Sequence, residues 1–140
     1  MTTWTELPNY VIEGKGLYGG SEVTEQLWAR KMGDGSFILL CLPFYLYGLA
    51  LSDRVTVEAT GTLKVVEPSG RQLLRVWFHT PKDEPEQFDR EVGERGGRTE
   101  WYSRNLVAID CSASGCIVLR EWLSSLKSQG LIDLEWASQG

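Results

Sequence analysis

The chain has 140 residues, 42% of them apolar and 24% charged, which is enough for one packed domain and excludes wholesale disorder. Its formal net charge of −5 excludes sequence-independent binding to DNA or RNA, which draws its affinity from clustered Lys and Arg. Residues 1–22 are read as an arm. Gly14, Gly16, Gly19 and Gly20 crowd together there, and glycine loses the most entropy on ordering. Trp4, Tyr10, Ile12, Leu17 and Tyr18 make that arm too apolar for a free tail, so it is expected to pack on the body or to contact a partner.

From Gln26 to Met32 the pattern becomes strand-like. Gly33-Asp34-Gly35 supplies the positive φ angles of a hairpin turn, and Ser36 to Leu42 returns as a strand covered on both faces. Pro43 ends it, and Phe44 to Leu51 is an apolar connection. Arg54–Ala59 and Thr62–Glu67 flank a Thr60-Gly61 turn, which completes a small antiparallel unit of about four strands over 23–70.

Residues 71–140 read differently. Gln72–Thr80 is an apolar strand. Pro85 opens a short helix to Arg95 that carries Phe88 and Val92, and Gly96-Gly97 stops it. Arg98–Ser103 and Asn105–Asp110 form two strands. Val118, Leu119, Trp122, Leu123 and Leu126 then recur at three and four, which predicts a helix over Gly115–Gln129. Ser112 or Ser114 caps its start and Gly130 ends it. Ile132, Leu134 and Trp136 alternate with acids in a last strand. The order β-α-β-β-α-β is the ferredoxin-like pattern. The expected class is α+β, with the N-terminal β unit packed on a ferredoxin-like half around one shared core.

Several motifs taken together carry a family resemblance. They are Leu27-Trp28-Ala29, Gly33-Asp34-Gly35, Pro43-Phe44, Tyr47-Gly48-Leu49 and Asp53-Arg54-Val55, followed by Ser69-Gly70 and Leu74-Arg75-Val76. In this spacing the chain resembles a bacterial family of unknown function over about residues 24–135. The resemblance places a glycine where this chain has Ser52. It implies a small stand-alone bacterial protein and assigns no catalytic residue.

No secretory leader is expected, since Met1–Pro8 has neither a basic stretch nor an apolar run. The longest apolar stretch, Phe37–Leu51, is too short to span a bilayer and is broken by Pro43 and Gly48. The expected setting is cytoplasmic, with no membrane partner. Three cysteines, Cys41, Cys111 and Cys116, argue by their odd number against a closed disulfide framework, and each is expected to pack as a small apolar side chain.

Candidate chemistry is sparse. His79, the one histidine, could act as a base oriented by Asp83, Glu84 or Glu86, but a strand-end role is the simpler reading. Cys116 near a helix start has the setting of a lowered thiol pKa, against the simpler reading that it packs behind a serine cap. No metal-ligand spacing, cofactor motif or nucleophilic triad is present, so no catalytic residue, metal or cofactor is assigned.

Pro81–Glu100 holds seven acids against four bases. Asp83, Glu84, Glu86, Asp89, Glu91 and Glu94 are therefore candidates for a partner surface, with Trp101 as its aromatic anchor. Trp4 and Trp101 are the tryptophans expected at the surface, and Trp28, Trp77, Trp122 and Trp136 those expected in the core. The function expected is a non-catalytic protein-binding module, monomeric or homodimeric. Its narrowest form is an immunity or antitoxin protein that occludes a basic toxin. The competing expectation is a small-molecule-binding or regulatory ferredoxin-like domain.

Overall fold

The computed structural model describes residues 8–138. Strands β1 (Tyr10–Tyr18), β2 (Ser21–Lys31), β3 (Phe37–Leu39), β4 (Arg54–Val57) and β5 (Leu63–Glu67) form one antiparallel sheet in sequential order. Residues 10–18, expected as an arm, are instead a strand paired with β2 along its whole length. The turn between them is Gly19-Gly20, both at positive φ, as a two-residue hairpin requires. Gly14 has a different reason: a Cβ there would sit 2.7 Å from Leu46 and 2.8 Å from Leu63. Glycine lets β1 lie close under the apolar layer. Trp4 lies outside the described residues.

Lys15 donates its N–H to the Gly61 carbonyl at 3.0 Å, so the sheet curls until β1 meets the β4–β5 turn. Ile12, Leu27, Leu39, Leu46, Leu49 and Val55 fill the space inside. The expected strand over 36–42 is regular only at Phe37–Leu39; Leu40 N–H still bonds to the Trp28 carbonyl, and residues 40–42 stay buried. The Gly33-Asp34-Gly35 turn forms as the sequence suggests. Met32 N–H bonds to the Ser36 carbonyl, and Asp34 accepts from both the N–H and hydroxyl of Ser36. Those bonds to Ser36 hold the Asp34 carboxyl below its ordinary pKa.

The second sheet contains β6 (Gln72–Phe78), β7 (Gly97–Trp101), β8 (Leu106–Cys111) and β9 (Ile132–Trp136), in the order β7-β8-β6-β9 and antiparallel throughout. Helix α1 (Pro85–Glu94) lies between β6 and β7 in sequence, and α2 (Ala113–Ser128) between β8 and β9. Pro85 occupies the first turn of α1, and the Ser112 side chain caps α2 by accepting from Gly115 N–H. Alternation along β6 sends Leu74, Val76 and Phe78 toward the helices, where they meet Phe88, Val92, Leu119 and Leu123. Gly97 admits both helices: a Cβ there would lie 2.7 Å from Val92 and 2.9 Å from Leu119.

The opposite face of this sheet meets residues 40–53. Leu73 and Ala108 pack there on Leu42, Leu51 and Ala137. The same segment gives Cys41, Leu46 and Leu49 to the first core, so one loop fills two apolar layers. Its polar seam centres on Arg75, whose side chain is wholly buried. The guanidinium donates to the carbonyls of Pro43 and Leu46 and lies 4.7 Å from the Tyr47 ring centroid. Its Nε is 3.1 Å from Glu135 Oε1, a charge contact without hydrogen-bond alignment. Burial lowers the Arg75 pKa from its ordinary value, with Glu135 opposing. A second buried charge, Asp110, is satisfied by Arg71, which donates two bonds of 2.7 Å.

The loop itself is held by Glu25 on β2. Its carboxylate accepts from the N–H groups of Phe44, Tyr45 and Leu46 at 2.7, 3.1 and 3.2 Å. At its far end, Asp53 is buried and accepts from Ala50 N–H at 2.9 Å and Ser69 N–H at 2.8 Å. Ser52 precedes it at φ +68°, the one non-glycine residue at positive φ among those described. Its Cβ is strained in that conformation. The Ser52→Gly variant is therefore expected to gain about 0.5–1 kcal/mol, less than the full strain because glycine also frees the unfolded chain. A thermal melt should rise by about 2–3 °C. An unchanged or lower midpoint would show that the hydroxyl compensates for the backbone.

Candidate functional site

Where α1 and the end of α2 overhang the end of β6, they leave a groove of about 630 Å³. Its floor is apolar and aromatic: Phe78 and Ile132 from the sheet, Phe88 from α1, and Trp122 and Leu126 from α2. Phe88 and Trp122 stack at 5.4 Å between centroids, and Phe78 meets Phe88 edge-on at 5.0 Å. These contacts fix the floor in place.

The rim is charged. Asp83, Glu84 and Glu91 line it, with Lys82 as the basic member. The loop carrying Lys82 and Asp83 is not free to swing away. Arg104 donates to both of their carbonyls, at 3.1 and 2.9 Å, and Lys82 N–H returns a bond to Arg104 O. Lys82 Nζ lies 5.4 Å from the Phe78 ring centroid, tucked over the floor rather than neutralising the acids.

His79 stands at one edge of the groove. Its Nδ1 is 2.8 Å from the Gly130 carbonyl, which can only accept, so Nδ1 carries a proton. Its Nε2 is 3.2 Å from Asp133 Oδ2. Asp133 orients the ring, in place of the expected Asp83, Glu84 or Glu86. The Nδ1–Gly130 bond ties the end of β6 to the turn before β9.

The expected partner residues separate into three sets. Asp83, Glu84 and Glu91 share the groove. Glu86 and Glu94 are exposed on α1 but do not line it. Asp89 and Trp101 serve the fold. The Asp89 carboxylate accepts from Trp101 Nε1 at 2.8 Å and from the Thr99 hydroxyl at 2.6 Å, while the Trp101 ring stacks on Phe78 at 5.8 Å. Trp101 is thus half-buried, correcting its expected exposure, and Trp28, expected in the core, is 55% exposed. Trp122, Leu126 and Leu131 were not singled out as site residues. The signal for Leu131 is an apolar side chain directly after the terminating Gly130.

Cys116 is not an accessible thiol. It is buried and bonded to Cys111, with 5.6 Å between their Cα atoms, so the expectation drawn from an odd cysteine count is also corrected. The bond joins the end of β8 to the first turn of α2 inside the helix-covered core. Cys41 remains free, and burial pushes its thiol up to about 12, which keeps it neutral. Among the described residues no three His, Cys, Asp or Glu side chains are grouped to hold a metal ion. No described helix is long and apolar enough to cross a membrane.

The family described as a domain of unknown function, DUF4265, matches residues 25–134. The chain belongs to the DUF4265 family. The match begins at Glu25, the residue that holds loop 40–53, and ends within β9, so it takes in the groove and most of both cores. A crystal structure of a hypothetical protein from Neisseria gonorrhoeae is similar to this DUF4265 chain with a TM-score of 0.78. That likeness covers 98% of this chain and 99% of the other at 19% identity, which shows a common fold. No curated protein matches the chain in sequence.

Proposed function

We propose that this DUF4265 protein is a non-catalytic protein-binding module whose α1–α2 groove receives a basic segment of a partner. The observation that carries the reading is the pairing of an aromatic floor with three rim carboxylates. Desolvated aromatic rings give such a contact its affinity, and the acids steer a cationic segment and fix its register. In its narrowest form the partner is a basic bacterial toxin and the module its cytoplasmic immunity protein or antitoxin. We also read the C-terminal half as ferredoxin-like, on its element order and its strand order β7-β8-β6-β9.

The test uses a fluorescein-labelled peptide of alternating Lys and Leu, followed by anisotropy and by amide chemical shifts of the full chain. Shifts should cluster at residues 78–91 and 122–132. The double charge reversal Glu84→Lys, Glu91→Lys should weaken binding about tenfold and flatten its salt dependence. Glu94→Lys, outside the groove, should change affinity by less than about twofold. Equal weakening by Glu94→Lys would reduce the effect to net charge and remove the groove from the reading.

A further inference from the structure

The face of the second sheet turned away from the helices carries a separate recess of about 350 Å³, lined by Tyr18, Trp77, Asp133, Leu134 and Glu135. Register explains its make-up. Trp77 is opposite Asp133 and Arg75 is opposite Glu135, so an aromatic residue, a buried cation and two carboxylates share one face of the β6–β9 pair. Tyr18, at the end of β1, reaches across from the first sheet. Its ring centroid is 6.5 Å from that of Trp77 and 6.1 Å from that of Tyr47, nearly parallel to the latter.

The charges are unevenly used. Glu135 is engaged from behind: Tyr47 donates its hydroxyl to Oε2 at 2.9 Å, and Arg75 stands against Oε1. Asp133 lies 3.2 Å from His79 Nε2, and its side chain is 71% exposed. Two carboxylates thus face one permanent cation, which is buried beneath the tyrosines. The recess is lined by the aromatic side chains of Tyr18 and Trp77, whose rings are negative at their face centres, and is bordered by the carboxylates of Asp133 and Glu135. Burial, with Glu135 adding to it, holds the Tyr18 hydroxyl above its ordinary pKa.

That chemistry favours a soft organic cation over a metal ion or an anion. Ring faces attract an alkylammonium whose charge is spread over carbon-bound hydrogens, and neighbouring carboxylates add to the attraction. We propose that the Tyr18–Trp77–Asp133 recess binds an alkylammonium head group, either of a free amine or of a lysine side chain. The recess and the α1–α2 groove lie on opposite faces of the sheet, so either can fail without the other.

The test labels the chain with 5-fluorotryptophan, assigns the Trp77 resonance with Trp77→Phe, and follows ¹⁹F shifts at constant ionic strength. Choline should move the Trp77 signal with a dissociation constant of about 1–10 mM. Its neutral isostere 3,3-dimethylbutan-1-ol should leave the signal in place. Tyr18→Leu should weaken choline binding about tenfold, and the exposed Asp133→Asn about threefold. A short peptide with one trimethyllysine that binds at least tenfold tighter than choline assigns the cation to a protein side chain. Equal or weaker binding assigns it to a free amine. Equal response to the neutral isostere, or no Trp77 shift with choline up to about 100 mM, would overturn the proposal.

Discussion

Arg75→Ala is expected to destabilise the protein by about 3–5 kcal/mol, the range for breaking a buried ionic pair by removing one partner. The carbonyls of Pro43 and Leu46 would lose their donor, Glu135 its counter-charge, and Tyr47 the cation beneath its ring. At this chain length the thermal midpoint should fall by about 10–15 °C. Urea unfolding followed by far-ultraviolet dichroism gives the free energy directly. Arg75→Lys should recover little, because an ammonium cannot reproduce the planar fork that reaches two carbonyls and a carboxylate. Adding Glu135→Gln to Arg75→Ala should restore part of the loss, since no unpaired charge then remains. A loss below about 1 kcal/mol for Arg75→Ala would mean that water fills the seam and that Arg75 does not tie loop 40–53 to the sheet.

Glu25→Ala comes next, at about 2–4 kcal/mol, because three N–H groups lose one charged acceptor together. Its signature differs from that of Arg75→Ala. Hydrogen exchange should accelerate at the Phe44, Tyr45 and Leu46 amides before it changes in β8, since the loop can loosen locally. Glu25→Gln should fall between wild type and Ala: the amide oxygen still accepts, without the charge. If those three amides exchange as slowly in Glu25→Ala as in wild type, the loop is held by its apolar residues alone.

Much of this architecture is legible in periodicity. The α2 stripe, the alternation at Ile132–Trp136 and the Gly-Asp-Gly turn each act locally, so local residues report them. The failures have physical causes. The glycines of β1 suggested entropy, but Gly14 is small because Leu46 and Leu63, distant in sequence, press on it. Trp28 sits in an apolar pattern that suggests the core, although its neighbours Leu27 and Ala29 are the buried ones and strict alternation puts it outside. Arg75 does carry a sequence signal: one cation within the apolar run 72–78 marks a charge that must be paired. The groove was half visible. Its acids stood out as a charge run, whereas Trp122 and Leu126 belong to the α2 apolar stripe and also line the groove, which periodicity alone does not distinguish from core. The Cys111–Cys116 bond has no signature in cysteine parity, because the third thiol hides it.

The double duty of residues 40–53 also bears on how the chain is made. Loop 40–53 emerges from a ribosome early, yet its Gly48 N–H bonds to the Ala137 carbonyl, and Tyr47 bonds to Glu135. Ala137 in turn bonds to Leu73, at the start of β6. The N-terminal sheet can form its hairpins during translation and Glu25 can hold one side of the loop, but the loop's contacts with Glu135 and Ala137 must wait until β9 is released. Until then Leu42 and Leu51 lack Ala137, and offer a chaperone an apolar handle. Folding should therefore finish after synthesis, in one late step that closes both cores, and slowly for a chain of this size because the closing contacts span most of its length.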